Sequence, residues 1–147
     1  MAFEGLDFYD IDGLLTEEER DIRDTVRAWV TEKVIPIIGK HYEDGTFPTH
    51  LVQEMGEMGF LGSNLPEEYG CAGLNNVCYG LICQELERGD SAIRSFASVQ
   101  GSLVMYPIYA HGTEEHRRKW LPKLASGEAV GCFGLTEPDH GSNPSGM

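Results

Sequence analysis

The sequence predicts an all-α helical bundle that is followed by a single β-strand. Apolar residues recur at helical spacing through most of the chain, capping residues precede these stretches, and only residues 129–135 have the composition of a strand. A length of 147 residues is enough for one domain with a real core. Because a lone strand leaves its backbone groups unpaired, we expect further strands in the parent protein. The predicted division is a helical domain at 1–127 and the start of a truncated β-domain at 128–147.

The first two helices are predicted from their start signals. Thr16-Glu-Glu-Glu19 has the form of a capping box, and the helix after it should run to about residue 40 with a disturbance at Pro36. A shorter helix should follow Pro48-Thr49. The residues that would form the apolar faces of these two helices are Ile22, Val26, Trp29, Val30 and Ile37 in the first, and Leu51, Val52, Met55 and Met58 in the second.

Three further helices follow in order. One is predicted from Asn75 or Asn76 to about Arg88, and Gly89-Asp-Ser91 should end it and cap the next. That next helix, about 91–110, is apolar nearly all round, which is typical of a helix at the centre of a bundle. A short helix over 114–120 should precede the strand at 129–135.

Charge and cysteine content exclude several classes of function. A net charge of −13 argues against nucleic acid or an anionic membrane as a partner, and no basic patch offsets it. The four cysteines and five histidines show no metal-site or Ser/His/Asp spacing, so we expect no metal site and no disulfide. No apolar stretch approaches a membrane span, and no secretory signal or transit peptide is visible. These features favour a cytoplasmic protein.

The last part of the sequence is a polar, glycine-rich loop that could hold a ligand. Thr136 places a hydroxyl and an amide where the predicted strand ends, Gly141 permits close approach, and Ser142 adds a donor. Such a loop suits a phosphate or a heteroaromatic ring. The residues alone leave open the alternative that it is only a turn-rich connection.

The stretch GLTEPDHGSNPSG closely resembles the flavin-binding signature of the acyl-CoA dehydrogenases. The segments LVQEMGEMGFLGSNLPEEYGCAGL and SFASVQGSLVMYPIYAHGTEEHRRKWLPKLASGE resemble a helix with its following loop and the central helices of the same family, closest to its glutaryl-CoA branch. The resemblance runs from about Thr16 to Met147. It covers less than half of a family chain, which has an α-domain, a β-domain and a second α-domain.

The resemblance implies which residues of this loop would hold FAD. Phe133, Gly134, Leu135 and Thr136 would line the flavin ring, with Leu135 and Thr136 bonding to its pyrimidine edge and N5 side. Gly141 and Ser142 would lie near the pyrophosphate, and Ser142 also near the acyl-CoA. Asn143 stands where the family pattern has Asp, which keeps an acceptor oxygen but loses a charge and so would weaken binding.

Arg94 is a permanent charge on the most apolar predicted helix, so it must find an anion or reach solvent. The residues alone favour a pairing with Glu87 or Asp90. The resemblance implies instead that Arg94, helped by Ser95, binds the distal carboxylate of a substrate, with about one or two decades of selectivity. Glu87 is either a solvated acid or, by the resemblance, an active-site group that relays protons through water.

The activity implied by the resemblance is FAD-dependent α,β-dehydrogenation of an acyl-CoA thioester. The substrate would be glutaryl-CoA, with decarboxylation to crotonyl-CoA, in the degradation of lysine and tryptophan. The base would be a glutamate of the C-terminal α-domain, so this chain would contain no catalytic base and would not turn over alone. Electrons would leave through an electron-transferring flavoprotein, and the enzyme would be a homotetramer, in the mitochondrial matrix if eukaryotic. The alternatives are a dehydrogenase for another short or branched acyl-CoA, and a flavin-free helical interaction module.

Overall fold

The computed structural model describes residues 8–147, and the described residues form helices without any β-strand. Seven α-helices follow one another, and two of their junctions are continuous turns of wider π-helix, at Val30–Val34 and Val99–Met105. Short 3₁₀ turns lie at Ile11–Leu14, Glu67–Tyr69 and Pro144–Gly146. The α-helices are α1 (Glu17–Trp29), α2 (Ile35–Asp44), α3 (Leu51–Glu57), α4 (Asn76–Gly89), α5 (Ser91–Ser98), α6 (Tyr106–His111) and α7 (Glu114–Ala125).

Helix α1 begins at the capping box that the sequence predicts. Glu19 N donates to Thr16 Oγ1 at 3.3 Å, and Thr16 N donates to Glu19 Oε2 at 2.8 Å. The disturbance predicted at Pro36 is also present, as the π-turn that joins α1 to α2. Proline has no N–H to donate, and the wider turn just before it accommodates that loss. Helix α2 continues beyond residue 40 and ends at Gly45, where the backbone is left-handed with φ +63°.

Two apolar clusters form the core. The larger one joins α1, the first π-turn, α3, α4 and α5, and the ring of Trp29 meets that of Phe60 edge-on at 5.3 Å between centroids. The smaller one packs α7 against the second π-turn and the residues near Tyr69. The members of the smaller cluster are Leu65, Tyr69, Val104, Met105, Leu121, Leu124 and Ala125. The larger cluster holds α4 and α5 together, and the smaller one holds α7 against the second π-turn.

The predicted helix over 91–110 exists as α5, the second π-turn and α6, but the prediction that it lies at the centre of the bundle is wrong for one of its faces. Ile93, Ala97 and Met105 are fully buried, whereas Leu103 and Tyr106 are 43% and 53% exposed. The described residues cover only one stripe of this helix. Its apolar composition therefore exceeds what packing among the described residues requires.

Helix α7 does not end at residue 120 as predicted but continues through Pro122 to Ala125. Proline removes one backbone donor from the helix, at a cost that packing must offset. Leu121, Leu124 and Ala125 are all buried in the smaller cluster, and their burial explains why the last turn persists.

The strand predicted at 129–135 is not formed. Residues 130–136 have no regular secondary structure, and the described part of the chain holds only an isolated bridge, between Glu137 and His140. A strand needs a partner ladder to satisfy its backbone groups, and no other strand is available within residues 8–147. All four cysteines are free thiols in this structure, and no described helix is long and apolar enough to cross a membrane.

Candidate functional site

A sharp corner between α4 and α5 brings two predicted site residues together. Asp90 ends α4 and caps α5: its carboxylate accepts from the amides of Ala92 and Ile93 at 2.8 and 3.1 Å. Its backbone is extended, with φ −169° and ψ 137°, so the chain changes direction at one residue. Glu87 on the last turn of α4 then faces Arg94 on the first turns of α5.

Four side chains form a hydrogen-bonded group at this corner, which we call the carboxylate corner: Glu87, Ser91, Arg94 and Ser98. Arg94 Nε donates to Glu87 Oε2 at 2.7 Å, and Ser91 Oγ donates to Glu87 Oε1 at 2.6 Å. A second guanidinium nitrogen of Arg94 lies 3.3 Å from Ser98 Oγ. The Arg94 side chain is 35% exposed and that of Glu87 46%, so the pair is open to an additional partner.

The hydrogen bonds of the carboxylate corner keep both groups charged. Those from Ser91 and then Arg94 hold the pKa of Glu87 below its ordinary value, and the bond to Glu87 raises the pKa of Arg94. The guanidinium of Arg94 has five N–H donors. Among the described residues, Nε–H donates to Glu87 and one terminal nitrogen donates to Ser98, so further N–H groups stay available for a ligand. The corner can therefore bind a further carboxylate.

Two neighbouring groups on α4 extend this site, and the sequence analysis did not identify them. Tyr79 and Cys83 precede Glu87 at intervals of four residues, which places them on the same face of α4. The Tyr79 hydroxyl lies 2.7 Å from Ser102 Oγ across the helix pair. Burial raises the pKa of both Tyr79 and Cys83, and both groups interact electrostatically with Arg94. The wall beside Arg94 is therefore neutral and half-buried.

Residues 133–146, which we call the closing loop, lie on the surface. Phe133 and Leu135 are half exposed, and Thr136 and Ser142 are exposed. Reciprocal backbone hydrogen bonds of 3.1 Å between Glu137 and His140 close a tight turn in its middle. The hydroxyl-bearing side chains of Thr136 and Ser142 are exposed on either side of this turn.

The closing loop has the properties that a flavin nucleotide would need. The backbone amides of residues 133–136 donate no hydrogen bond within the described part of the chain. A β-carbon placed on Gly134 or Gly141 would meet no atom within 4 Å, so there is open space against both residues. Free amides, an exposed Thr136 hydroxyl and open glycine surface suit the polar edge and pyrophosphate of FAD.

The segment that leads into the closing loop is held by a buried side chain that sequence reasoning missed. Gln100, 1% exposed, donates through Nε2 to Leu124 O at 3.0 Å and to Ala129 O at 2.8 Å. Its Oε1 accepts from Gly131 N at 3.0 Å. The partners are 24 to 31 residues away in sequence, so no local pattern could have revealed them.

A second charged group on α4 differs from the carboxylate corner in its burial. Glu85 is 1% exposed and lies 2.8 Å from a guanidinium nitrogen of Arg27 and 2.8 Å from one of Arg88. Arg88 also donates to the carbonyl of Arg27 and to Thr31 Oγ1, at 3.0 and 2.9 Å. This group ties α1 to α4, and its carboxylate is already satisfied.

An open groove of about 850 Å³ lies between α1, the loop after α3 and the start of α4. Its floor is apolar, and its rim carries the carboxylates of Glu17, Glu18 and Asp21. The groove can accept apolar side chains, and its rim favours a partner with positive charge. It is separate from the carboxylate corner, since no residue of the corner lines it.

Among the residues predicted for a site, Arg94 and Glu87 are thus in contact. The Ser95 carbonyl accepts from Ser98 Oγ at 3.1 Å, while the Ser95 side chain makes no hydrogen bond with the described residues. No hydrogen bond or ion pair within residues 8–147 joins the closing loop to the carboxylate corner directly. The two regions are connected through Gln100 and the helix that carries it.

Comparison with known proteins gives concordant matches. The family model described as "Acyl-CoA dehydrogenase, N-terminal domain" matches residues 16–128. A crystal structure of a glutaryl-CoA dehydrogenase from Mycobacterium smegmatis in complex with FADH2 superposes with a TM-score of 0.91 at 55% identity, covering 97% of this chain and 36% of that one.

Two curated relatives match at lower identity. Glutaryl-CoA dehydrogenase of Desulfococcus multivorans is 35% identical over 136 residues, 90% of this chain and 35% of the relative. The mitochondrial short-chain specific acyl-CoA dehydrogenase of Bos taurus is 35% identical over 129 residues, 88% of this chain and 31% of the relative. The chain therefore spans about a third of the length of these relatives.

Proposed function

Because the chain belongs to the acyl-CoA dehydrogenase family, we propose that it supplies the N-terminal part of an FAD-dependent enzyme that oxidises an acyl-CoA thioester between its α and β carbons. The matched glutaryl-CoA dehydrogenase, whose structure is described as a complex with FADH2, supports this proposal. The exposed closing loop, with its free amides and open glycines, supports it from the chain itself.

The proposed substrate is glutaryl-CoA, and the observation that carries it is the open Arg94–Glu87 pair. A plain fatty acyl chain needs an apolar lining, whereas a substrate with a distal carboxylate needs a fixed cation. Arg94 is held at 2.7 Å by Glu87 and still has free N–H groups toward solvent. The proposal assigns these N–H groups, with the help of Ser95, to the distal carboxylate of the substrate.

The remaining residues have roles that follow from their positions. FAD would supply the redox chemistry, accepting two electrons from the substrate. Phe133, Leu135 and Thr136 would bind the flavin ring through the closing loop, and Ser142 would lie between the cofactor and the acyl-CoA. Glu87 would hold the Arg94 guanidinium in place. Since hydrogen bonds from Ser91 and Arg94 lower its pKa, its carboxylate would stay ionised and accept a hydrogen bond from a water molecule of the proposed proton relay.

Replacement of Arg94 tests the substrate. In the enzyme that carries this chain, Arg94→Gln should lower kcat/KM for glutaryl-CoA about ten- to hundredfold, because a charge-assisted carboxylate pair is lost. The same variant should change kcat/KM for butyryl-CoA, which has no distal carboxylate, by less than about threefold. The measurement is steady-state kinetics with both thioesters and an artificial electron acceptor.

Arg118→Gln provides a matched control. Arg118 Nε lies 2.7 Å from a Glu114 carboxylate oxygen, the same type of pair on an exposed helix face. Its loss should leave kcat/KM for both thioesters unchanged. Equal glutaryl-CoA kinetics in wild type and Arg94→Gln would refute the dicarboxylic substrate while leaving the dehydrogenase proposal intact.

The second candidate is a dehydrogenase for a short unsubstituted acyl-CoA, which the short-chain specific relative favours. The same experiment separates the two candidates. A short-chain dehydrogenase would prefer butyryl-CoA in the wild type, and its kcat/KM for butyryl-CoA would rise when Arg94 is replaced. A third candidate, a flavin-free helical module, predicts a colourless protein that takes up no FAD.

The proposal extends to the parts of the enzyme outside this chain. The catalytic base is proposed to be a glutamate of a C-terminal α-domain, and residues 128–147 are proposed to begin a β-domain after a helical domain at 1–127. An electron-transferring flavoprotein is the proposed electron acceptor, and a homotetramer the proposed assembly. We also propose that the enzyme decarboxylates its oxidised product to crotonyl-CoA. Its proposed location is a reducing compartment, either the bacterial cytoplasm or the mitochondrial matrix.

A further inference from the structure

We propose that Gln100 is a positioning residue that fixes the flavin-binding closing loop relative to the substrate-binding Arg94. This inference rests on the proposed function, since it assigns a task to Gln100 only if the closing loop holds FAD. The proposal stands on three observations: the hydrogen bonds of the Gln100 amide, the contact of Gly131 with Val104, and the continuity of the helix between Arg94 and Gln100.

The side-chain amide of Gln100 joins three separate pieces of backbone. It donates to the carbonyl of Leu124 at the end of α7 and to that of Ala129, and it accepts from the amide of Gly131. A buried amide with both donors and its oxygen satisfied has one orientation only. The segment at 129–131 is therefore fixed in register against the second π-turn, two residues before Phe133.

A close backbone contact supports the same segment. A β-carbon on Gly131 would lie 2.3 Å from Val104 Cγ1, a distance at which atoms overlap. Val104 belongs to the same π-turn as Gln100. The absence of a side chain at Gly131 thus allows its amide to reach the Gln100 oxygen at 3.0 Å.

Arg94 and Gln100 lie on one uninterrupted helical path. Gln100 follows Arg94 by six residues, and α5 passes into the π-turn at Val99 with helical backbone angles. A helix is stiff over this length, so any shift of the 129–131 segment relative to Gln100 is also a shift relative to Arg94. In the proposed enzyme, the distance between the distal carboxylate and the flavin ring determines which carbon atoms meet the flavin.

The decisive variant is Gln100→Met, made in the whole enzyme that carries this chain. Methionine keeps the length and helix propensity of glutamine but has no N–H donor and no strong acceptor. We expect the dissociation constant of FAD, measured by fluorescence titration of the stripped protein, to rise about tenfold or more. The hydrogen-exchange rate of the Gly131 amide should rise in the same variant.

Val26→Ala is the control for a merely structural role. Val26 is fully buried in the larger cluster, on α1, and its truncation lowers stability without touching the 129–131 segment. It should lower the melting temperature yet leave the FAD dissociation constant unchanged. The positioning role is overturned if Val26→Ala and Gln100→Met lower the melting temperature equally and also raise the dissociation constant of FAD equally.

A second variant tests the position of the segment without altering Gln100. Gly131→Ala should weaken FAD binding, because the new methyl group would overlap Val104 Cγ1 at 2.3 Å and Val104 Cγ2 at 2.9 Å. The double variant Gly131→Ala/Val104→Ala should recover much of the affinity, because it removes both of these γ-methyl groups and leaves only the Val104 β-carbon, at 3.1 Å. Failure of this rescue would contradict the proposal.

The outcomes separate this inference from the function on which it rests. A wild-type protein that takes up no FAD would overturn both. A wild type that binds FAD, with Gln100→Met binding it equally well, would overturn the positioning role and leave the proposed dehydrogenase standing.

Discussion

Two glutamates on α4, separated by one residue, form the same chemical pair in opposite surroundings. Glu85 is 1% exposed and contacts Arg27 and Arg88, whereas the Glu87 side chain is 46% exposed and contacts Arg94. The carboxylate of Glu85 is surrounded by fixed donors from α1 and α4. That of Glu87 faces a cation with free N–H groups at the surface.

The contrast shows how burial separates structural from recognition chemistry. A buried pair that is fully satisfied cannot accept a ligand, and removal of one partner leaves an uncompensated charge inside the protein. An exposed pair adds little to stability, because solvent screens it, but its spare donors can bind a carboxylate. Of the two pairs, only the Arg94–Glu87 pair of the carboxylate corner can therefore have a role in recognition.

The largest expected effect is the loss of stability in Glu85→Gln. Removing one partner of a buried pair costs about 3–5 kcal/mol in general. The side chains of Arg27 and Arg88 are 46% and 29% exposed and can regain water, so we expect about 2–3 kcal/mol here. Urea unfolding should show this loss for Glu85→Gln and an unchanged midpoint for Glu87→Gln. Equal losses in the two variants would remove the distinction between the pairs.

A smaller effect is expected from acidification. Burial raises the pKa of Glu85, but hydrogen bonds from Arg27 and Arg88 outweigh burial and hold the pKa below its ordinary value. Its contribution to stability is therefore complete above the ordinary carboxyl pKa and is lost as pH falls through the lowered, folded-state pKa. The difference in free energy of unfolding between wild type and Glu85→Gln should be constant from pH 7 to about 5 and shrink below that. Urea titrations at several pH values measure it, and a difference that grows in acid would contradict the assignment.

The smallest expected effect is local and concerns Ser91. Its hydroxyl is the main cause of the lowered pKa of Glu87, so Ser91→Ala should move that pKa upward toward the ordinary value. Carbon-13 NMR of the glutamate carboxyl groups would follow the titration. Ser98→Ala is the matched control, since Ser98 contacts Arg94 but not Glu87. An unchanged pKa of Glu87 in Ser91→Ala would show that Arg94 alone lowers the pKa of this carboxyl group.

Much of the fold was predictable because local chemistry determines it. Thr16 and Glu19 are three residues apart and form the capping box of α1, and Asp90 caps α5 with its carboxylate, so both starts follow from short patterns. Pro36 predicted a disturbance because its missing donor is a property of one residue. The Glu87 pairing of Arg94 was one of the alternatives that the residues left open.

What escaped prediction depends on contacts between distant residues. The strand expected at 129–135 was wrong because composition cannot show whether a partner strand is within reach. The end of α7 was placed too early because the burial of Leu124 offsets the cost of Pro122, and burial is a property of the assembled core. Gln100 was missed for the same reason, since its partners lie on other segments.

The single-residue corner at Asp90 restricts how genes for such chains can change in length. Each inserted or deleted residue after the corner would rotate α5 by about 100° about its axis. One such change would turn Arg94 away from Glu87 and Gln100 away from the carbonyls of Leu124 and Ala129 together. The stretch from Glu87 to Gln100 should therefore tolerate single substitutions at its other positions better than the gain or loss of a codon. The spacing of Glu87, Asp90, Arg94 and Gln100 therefore defines a sequence pattern, and other sequences can be searched with it for the same arrangement.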